Sequence, residues 1–398
     1  MSQASALPSN KDEAWRWSDL SALPALAEAP RDPTSLQLLQ LQWLDCEGPR
    51  LLFVDGRLDS SASEPGPVSI GSVDVEASAH ALGRLAAGAG WTLRLARDEA
   101  PPTLVQIIHV STGGASHLPA AIELEENAQA SIVETFIGKG WANRLTRVAL
   151  GGHARLMLAR RILSTEGFVS LTDRAEVGEG ASLVVTTLAA GGSDTRLDGE
   201  IILSGEGAYA EAGGALLARG RQRHDANVVL RHEQPSGTSR QVWRSVAGDR
   251  AICSVAARVE VARHAQKTDG EQSLKGLLLS RSATINAKPE LEIFADGVKC
   301  AHGATVGELD RDALFYLASR GVPEAEAKAL LTRAFVADSI DRVGEEAVRE
   351  ALHADAEGWF GGQKPLPFRG GVGVGDVEER GASRTAPTPV PSPEGERG

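Results

Sequence analysis

Cys300 and His302 are the two residues whose types and spacing best suit them to chemistry. A thiolate and an imidazole are ligands for iron, zinc or copper. Two positions apart on an extended segment, their side chains point the same way. They stand in the run Pro289-Glu-Leu-Glu-Ile-Phe-Ala-Asp-Gly-Val-Lys-Cys-Ala-His-Gly-Ala-Thr-Val-Gly307. Leu291 to Phe294 reads as a strand reaching a turn at Asp296-Gly297. If Leu291, Ile293 and Ala295 face a core, then Glu290, Glu292, Cys300 and His302 share the opposite face, provided the turn inserts no bulge. A Cys-x-His pair alone specifies no metal. The plain alternative is that His302 hydrogen-bonds a turn preceding Gly303.

The other candidates are weaker. Cys253 shares parity with Val255, Ala257, Val259 and Val261, which reads as a small core residue. Cys46, before Gly48-Pro49, has no histidine or acidic partner at a metal-like spacing. His224, His232 and His264 fall among charged residues and read as solvated or satisfied. There is no Gly-x-x-x-x-Gly-Lys-Ser/Thr loop, so nucleotide hydrolysis through a P-loop is not expected. Neither a Gly-x-Ser-x-Gly elbow nor a His-Glu-x-x-His pair occurs. Gly178-Glu-Gly180 and Gly205-Glu-Gly207 read as turns, and the pairs Glu125-Glu126 and Glu345-Glu346 as solvated faces. No catalytic apparatus emerges.

Composition sets the outer limits. A chain of 398 residues can bury a sizeable core, and 42% hydrophobic with 24% charged residues is ordinary for a globular protein. The formal charge of −12 argues against nucleic acid, which needs a basic face. No apolar run approaches the roughly 20 residues of a membrane span. The first residues lack the pattern of a signal peptide. Three cysteines make no disulfide framework. A cytoplasmic protein with reduced thiols is expected.

The elements that must position the Cys-x-His pair follow from the order of the chain. Residues 1–100 read as a mostly helical N-terminal region. Asn10 caps a short helix carrying Trp15 and Leu20. Thr34 or Ser35 caps a second, with Leu36, Leu39 and Trp43 on one face. Leu51 to Val54 is a strand, and Val75 to Ala87 a further helix. From 101 to 307 the texture becomes short β-type runs with small-residue turns. An aliphatic residue, a turn and an alanine recur, the alanines being Ala128, Ala154, Ala181 and Ala208 at spacings of 26, 27 and 27 residues. That period indicates a β-solenoid, whereas an antiparallel sandwich would repeat nearer ~10 residues. Helices return over 308–355. Asp310 caps the first, Gly321 ends it, Pro323 opens the next, and a last helix spans Glu345 to His353. Ala327, Leu330, Leu331, Ala334 and Phe335 form an apolar stripe expected to pack on the solenoid. The composition of 356–398 predicts a disordered tail.

Several motifs in order resemble the SufB/SufD family of iron–sulfur cluster assembly proteins. They are Lys11-Asp-Glu-Ala-Trp-Arg-Trp-Ser-Asp-Leu20, Ala265-Gln-Lys-Thr-Asp269, Leu277-Leu-Leu-Ser280, the run from Pro289 to Gly307, and Leu314-Phe-Tyr-Leu-Ala-Ser-Arg-Gly321. His302-Gly-Ala-Thr-Val-Gly307 is similar to the SufD form rather than the SufB form, although Gly297 replaces an acidic residue usual there. The resemblance implies a right-handed parallel β-helix core flanked by helical regions. It implies a non-catalytic subunit that pairs with a SufB-like chain through the edge near 285–302. A SufC-like ATPase would bind helices 310–343, and a homodimer is possible when the chain is alone. His302 and Cys300 become candidate ligands for iron or a transient cluster shared with the SufB-like chain. The alternatives are a SufB-like scaffold and a β-solenoid enzyme acting on carbohydrate.

Overall fold

In the computed structural model, residues 7–73, 80–86, 88–101 and 103–361 are described. The N-terminal segment wraps on the solenoid as a single 3-10 turn at Glu13–Trp15, helix α1 (Leu23–Glu28) and a 3-10 run at Pro33–Leu38. Four strands follow: β1 (Arg50–Val54), β2 (Arg57–Leu58), β3 (Val68–Ser72) and β4 (Ala89–Leu95). Two long strands come next, β5 (Val105–Leu124) and β6 (Gln129–Leu150), each bending to serve both faces of the solenoid. The coils then alternate between faces: β7 (Arg155–Ile162) and β8 (Glu166–Val177), β9 (Ser182–Ala189) and β10 (Asp194–Leu203), β11 (Tyr209–Ala218) and β12 (Arg223–His232). They continue as β13 (Thr238–Ala247) and β14 (Ile252–Val261), β15 (Asp269–Leu278) and β16 (Thr284–Ile293), ending on β17 (Lys299–Glu308).

From β8 onward every coil-to-coil pairing is parallel and skips one strand, β9 to β11 to β13 to β15 to β17 on one face and β8 to β10 to β12 to β14 to β16 on the other. This is the expected β-solenoid, of about seven turns. Its repeat has a local cause. Ala128, Ala154, Ala181 and Ala208 are fully buried at corners, and each N–H donates to the carbonyl three residues back, at 3.1, 3.1, 3.1 and 3.4 Å. The residue before each alanine is left-handed: Asn127, His153, Gly180 and Gly207 have φ of 60, 58, 57 and 68°. Asparagine and glycine accept that conformation at least cost.

The 1–100 region is not mostly helical. Among its described residues strands outnumber helical ones, because Pro24, Pro30 and Pro33 break the chain into single turns and Leu51 to Val54 prefers the sheet. Asp32, not Thr34 or Ser35, caps the 3-10 run by accepting the Thr34 N–H, and the chain is already extended at Leu39. Asn10 caps nothing, as the first turn starts after Asp12, which makes no side-chain cap. Of the helix expected over 75–87, residues 75–79 and 87 lie outside the described residues, and residues 80–86 hold only a 3-10 turn at Gly83–Leu85. The solenoid accordingly begins before residue 101, since β1 and β4 both pair parallel with β5. Its first edges are covered, β2 pairing antiparallel with β1 and β3 with β4.

At the other end, α2 (Arg311–Ser319), α3 (Glu324–Ile340) and α4 (Glu346–Gly361) follow β17. Asp310 caps α2 by accepting from the N–H groups of Asp312 and Ala313, and Gly321 takes φ of 83° beyond its end. The apolar stripe on α3 is rotated from the expected one. Ala327, Val336 and Ile340 are buried, while Leu330 and Ala334 are exposed. The solenoid's outer face decides this, because Leu188, Ala215, Leu217, Val246 and Leu277 cluster with Val336, Ile340, Val348 and Leu352. Helix α4 runs past His353 and past the expected boundary at 356, since Ala356 and Trp359 join the same cluster. The rest of the 356–398 tail lies outside the described residues. Among the described residues no helix is long and apolar enough to cross a membrane.

Candidate functional site

Parallel hydrogen bonding fixes which backbone groups the last two strands leave free. On β17 the Lys299 N–H donates to the Thr268 carbonyl at 2.8 Å, so the odd-numbered residues bond to β15. The N–H and C=O groups of Cys300, His302, Ala304 and Val306 therefore lie along an unpaired edge. On β16 the N–H groups of Thr284 and Phe294 bond back to β14, both at 3.0 Å, so the odd residues 285 to 293 face the free edge. Pro289 is one of them and has no N–H to offer. The solenoid is thus covered at its first coil and open at its last, with an uninterrupted edge on β17 and a proline-interrupted one on β16.

Cys300 and His302 share a face, as their spacing requires, but it is not the face expected. Leu291 packs into the interior as foreseen, and so does Cys300. The corner from Phe294 to Val298 turns Ala295 and, in part, Val298 inward and leaves a separation of nine residues between the inward Leu291 and the inward Cys300. An odd separation reverses parity, so Cys300 and His302 belong to the interior row while Glu290 and Glu292 stay outside. Among the described residues no coil covers that row. His302 is consequently exposed, with no hydrogen bond or ion pair among the described residues, and Cys300 is half-buried.

Gly270 is the register partner of Cys300, and a Cβ built on it would meet the Cys300 Sγ at 3.4 Å. Burial pushes the Cys300 thiol up from its ordinary value, which favours the protonated form. Among the described residues no three His, Cys, Asp or Glu side chains gather to hold a metal ion. Cys300 and His302 fit a metal's donor preferences but supply two ligands at most.

The remaining sequence candidates are structural. Cys253 is fully buried in the interior cluster. His224 and His232 are also interior rather than among solvated charges, each with one ring nitrogen bonded, to the Leu217 carbonyl at 3.2 Å and to the Ser239 Oγ at 2.8 Å. His264 is exposed, and Cys46 receives the Gln106 Nε2–H at 3.2 Å. What the spacing argument missed is the interior row behind His302. Gln272 is its register partner on β15, and Gln241 is the register partner of Gln272 on β13. Only the coil period, 31 and then 30 residues, connects these three positions in the sequence.

A ladder of charges runs along the outer surface to the same end. Arg231 bridges Glu200 and Glu260, both at 2.6 Å, and Arg258 lies 3.7 Å from both Glu290 and Glu292 on β16. Beyond β17, α2 and α3 expose Phe315 (76%), Tyr316 (56%) and Leu330 (43%).

The family described as SUF system FeS cluster assembly, SufBD core domain, matches residues 107–335. The iron–sulfur cluster assembly protein SufD of Escherichia coli is 26% identical over 381 residues, covering 87% of this chain and 88% of its own. A SufBD family protein of Synechocystis is 26% identical over 380 residues, 85% and 84% of the two chains. Another from Mycobacterium tuberculosis is 25% identical over 360 residues, 88% and 89% of the two.

Proposed function

Because this chain belongs to the SufB/SufD family of iron–sulfur cluster assembly proteins, we propose that it works in that assembly as the SufD-type subunit, pairing end to end with a SufB-like chain. One observation carries the reading. The two unpaired edges, β16 and β17, occur at the same end as Cys300 and His302, so a partner that continues the sheet also closes over those side chains. The partner supplies the missing ligands, and iron or a nascent cluster is the shared cargo. The protein is then a scaffold in the cytoplasm with no catalytic residues of its own. The exposed Phe315, Tyr316 and Leu330 favour α2 and α3 as the seat of a SufC-like ATPase, which would supply the nucleotide chemistry this chain lacks.

His302→Ala tests the reading. Its side chain is exposed and unbonded, so the variant should fold and assemble with the SufB-like chain at normal stability yet accumulate little iron. Normal iron content and cluster formation in that complex would reject His302 as a ligand. Hydrogen exchange across 285–308 should slow when the partner is added; unchanged exchange there would reject the interface. A homodimer through the same edges is the expected state of the chain alone, read by its mass in solution.

A further inference from the structure

The interior of the solenoid is mostly aliphatic, yet one row near its open end reads Gln241, Gln272, His302 on consecutive coils. Gln241 is 0% and Gln272 2% exposed. The Gln241 Nε2 donates to the Arg258 carbonyl at 2.9 Å. Its Oε1 has no partner among the described residues, and neither Nε2 nor Oε1 of Gln272 has one. Three orphaned polar atoms in one buried row require an explanation, since burial strips each of its water and only a hydrogen bond replaces it.

The direction of the row is already set. Gln241 must present its amide nitrogen to the Arg258 carbonyl, so its oxygen is the group left for the next coil. Gln272 offers an Nε2–H there, one strand spacing away, about 4.8 Å. Glutamine's terminal torsion is soft, so rotation joins the two at little cost. Once that bond is made, the Gln272 Oε1 is the one acceptor left, and the next residue in the row is His302. We propose that Gln241 and Gln272 form a one-way amide ladder whose last oxygen accepts the N–H of the His302 imidazole. Gln272 is then a positioning residue: it selects one tautomer of His302 and turns the other, lone-pair nitrogen toward the open end. A histidine that binds metal commonly donates its second N–H to an oxygen of this kind. The metal-binding part rests on the reading of His302 given above; the tautomer part does not.

The full-length chain with 15N-labelled histidine tests the ladder. In the native protein His302 should show a single neutral tautomer. Gln272→Leu should convert it to a mixture, and Gln272→Glu, which keeps an acceptor, should restore the single form. Gln241→Leu should loosen it partly. Fe(II) titrated into the complex with the SufB-like chain should bind about 10–100-fold more weakly for Gln272→Leu, with Gln272→Glu near native affinity. Gln272→Leu leaves the buried Gln241 Oε1 unpartnered, so its thermal midpoint should fall modestly; the titration is made well below that midpoint, where circular dichroism shows the variant folded, so weak binding cannot be ascribed to unfolding. An unchanged tautomer in Gln272→Leu overturns the ladder. If the tautomer shifts and His302→Ala leaves Fe(II) affinity intact, the ladder stands and the ligand role of His302 falls.

Discussion

Arg160 and Arg161 are consecutive in β7, both are buried, and they point to opposite sides of the sheet. The Arg160 guanidinium lies inside the solenoid, its Nε 3.0 Å from Glu134, with Asp173 completing the pair. Arg161 lies outside it, clamped to Asp355 of α4 at 2.6 and 2.9 Å. The first charge is satisfied within the coils, whereas the second fastens the C-terminal helices to them.

Asp355→Ala should therefore destabilise the protein by roughly 3–5 kcal/mol, because it leaves a buried guanidinium without its counter-charge. The double replacement Arg161→Met with Asp355→Leu should recover much of that loss. Chemical denaturation of the three proteins checks this, and equal stability of Asp355→Ala and the native chain would contradict it.

His224 provides a pH dependence. Its side chain is fully buried, and burial lowers its pKa to about 4, the hydrogen bond to the Leu217 carbonyl opposing only part of the shift. The unfolded imidazole takes its proton near 6.5. Between those values the unfolded state binds more protons, so this residue's contribution to stability is lost as pH falls from about 6.5 to 4, at about 1.4 kcal/mol per unit. The stability of His224→Leu relative to native should rise by about 3 kcal/mol between pH 7.5 and 4. A constant difference across that range would show that His224 does not titrate in this way.

Gly167 should tolerate no side chain. Its φ is 95°, and a Cβ would lie 2.0 Å from the Gly140 carbonyl oxygen of the coil below. Gly167→Ala should cost more than 3 kcal/mol, by the sum of left-handed backbone strain and forced separation of two stacked coils. A melting temperature within about 1 °C of native would refute the close approach.

Phe315→Asp should abolish binding of the SufC-like ATPase and leave the thermal midpoint unchanged, since the ring is 76% exposed. Deleting the helices would be a poor substitute, because α3 and α4 cover an apolar face of the solenoid. Calorimetric titration with the ATPase reads the outcome; undiminished affinity would remove α2 from the interface.

The alanine period was legible because each corner combines a left-handed residue with a fully buried methyl group, and both leave a mark on composition. The shared parity of Cys300 and His302 was legible too, for it depends on two adjacent bonds. Which face they share was not, since it hangs on the length of one corner, where Ala295 and Val298 turn inward. The register of Gln241, Gln272 and His302 needs two such corners to be counted correctly. In the N-terminal region, three prolines cut short an apolar spacing that otherwise suits a helix, and the sheet claimed the neighbouring segments.

The uncovered last coil has a kinetic consequence. A stack in which each turn leans only on its neighbours loses structure from its ends, and here one end is sheathed by β2 and β3 while the other is bare. Amide protection should decline coil by coil from β11 toward β17, so that the solitary chain spends part of its time with its last turn frayed. Cargo held there dwells only while that turn is closed. Under the proposed pairing, the rate at which a second chain docks and leaves would set how long iron is retained, and the clock for the site would lie in assembly rather than in bond-making.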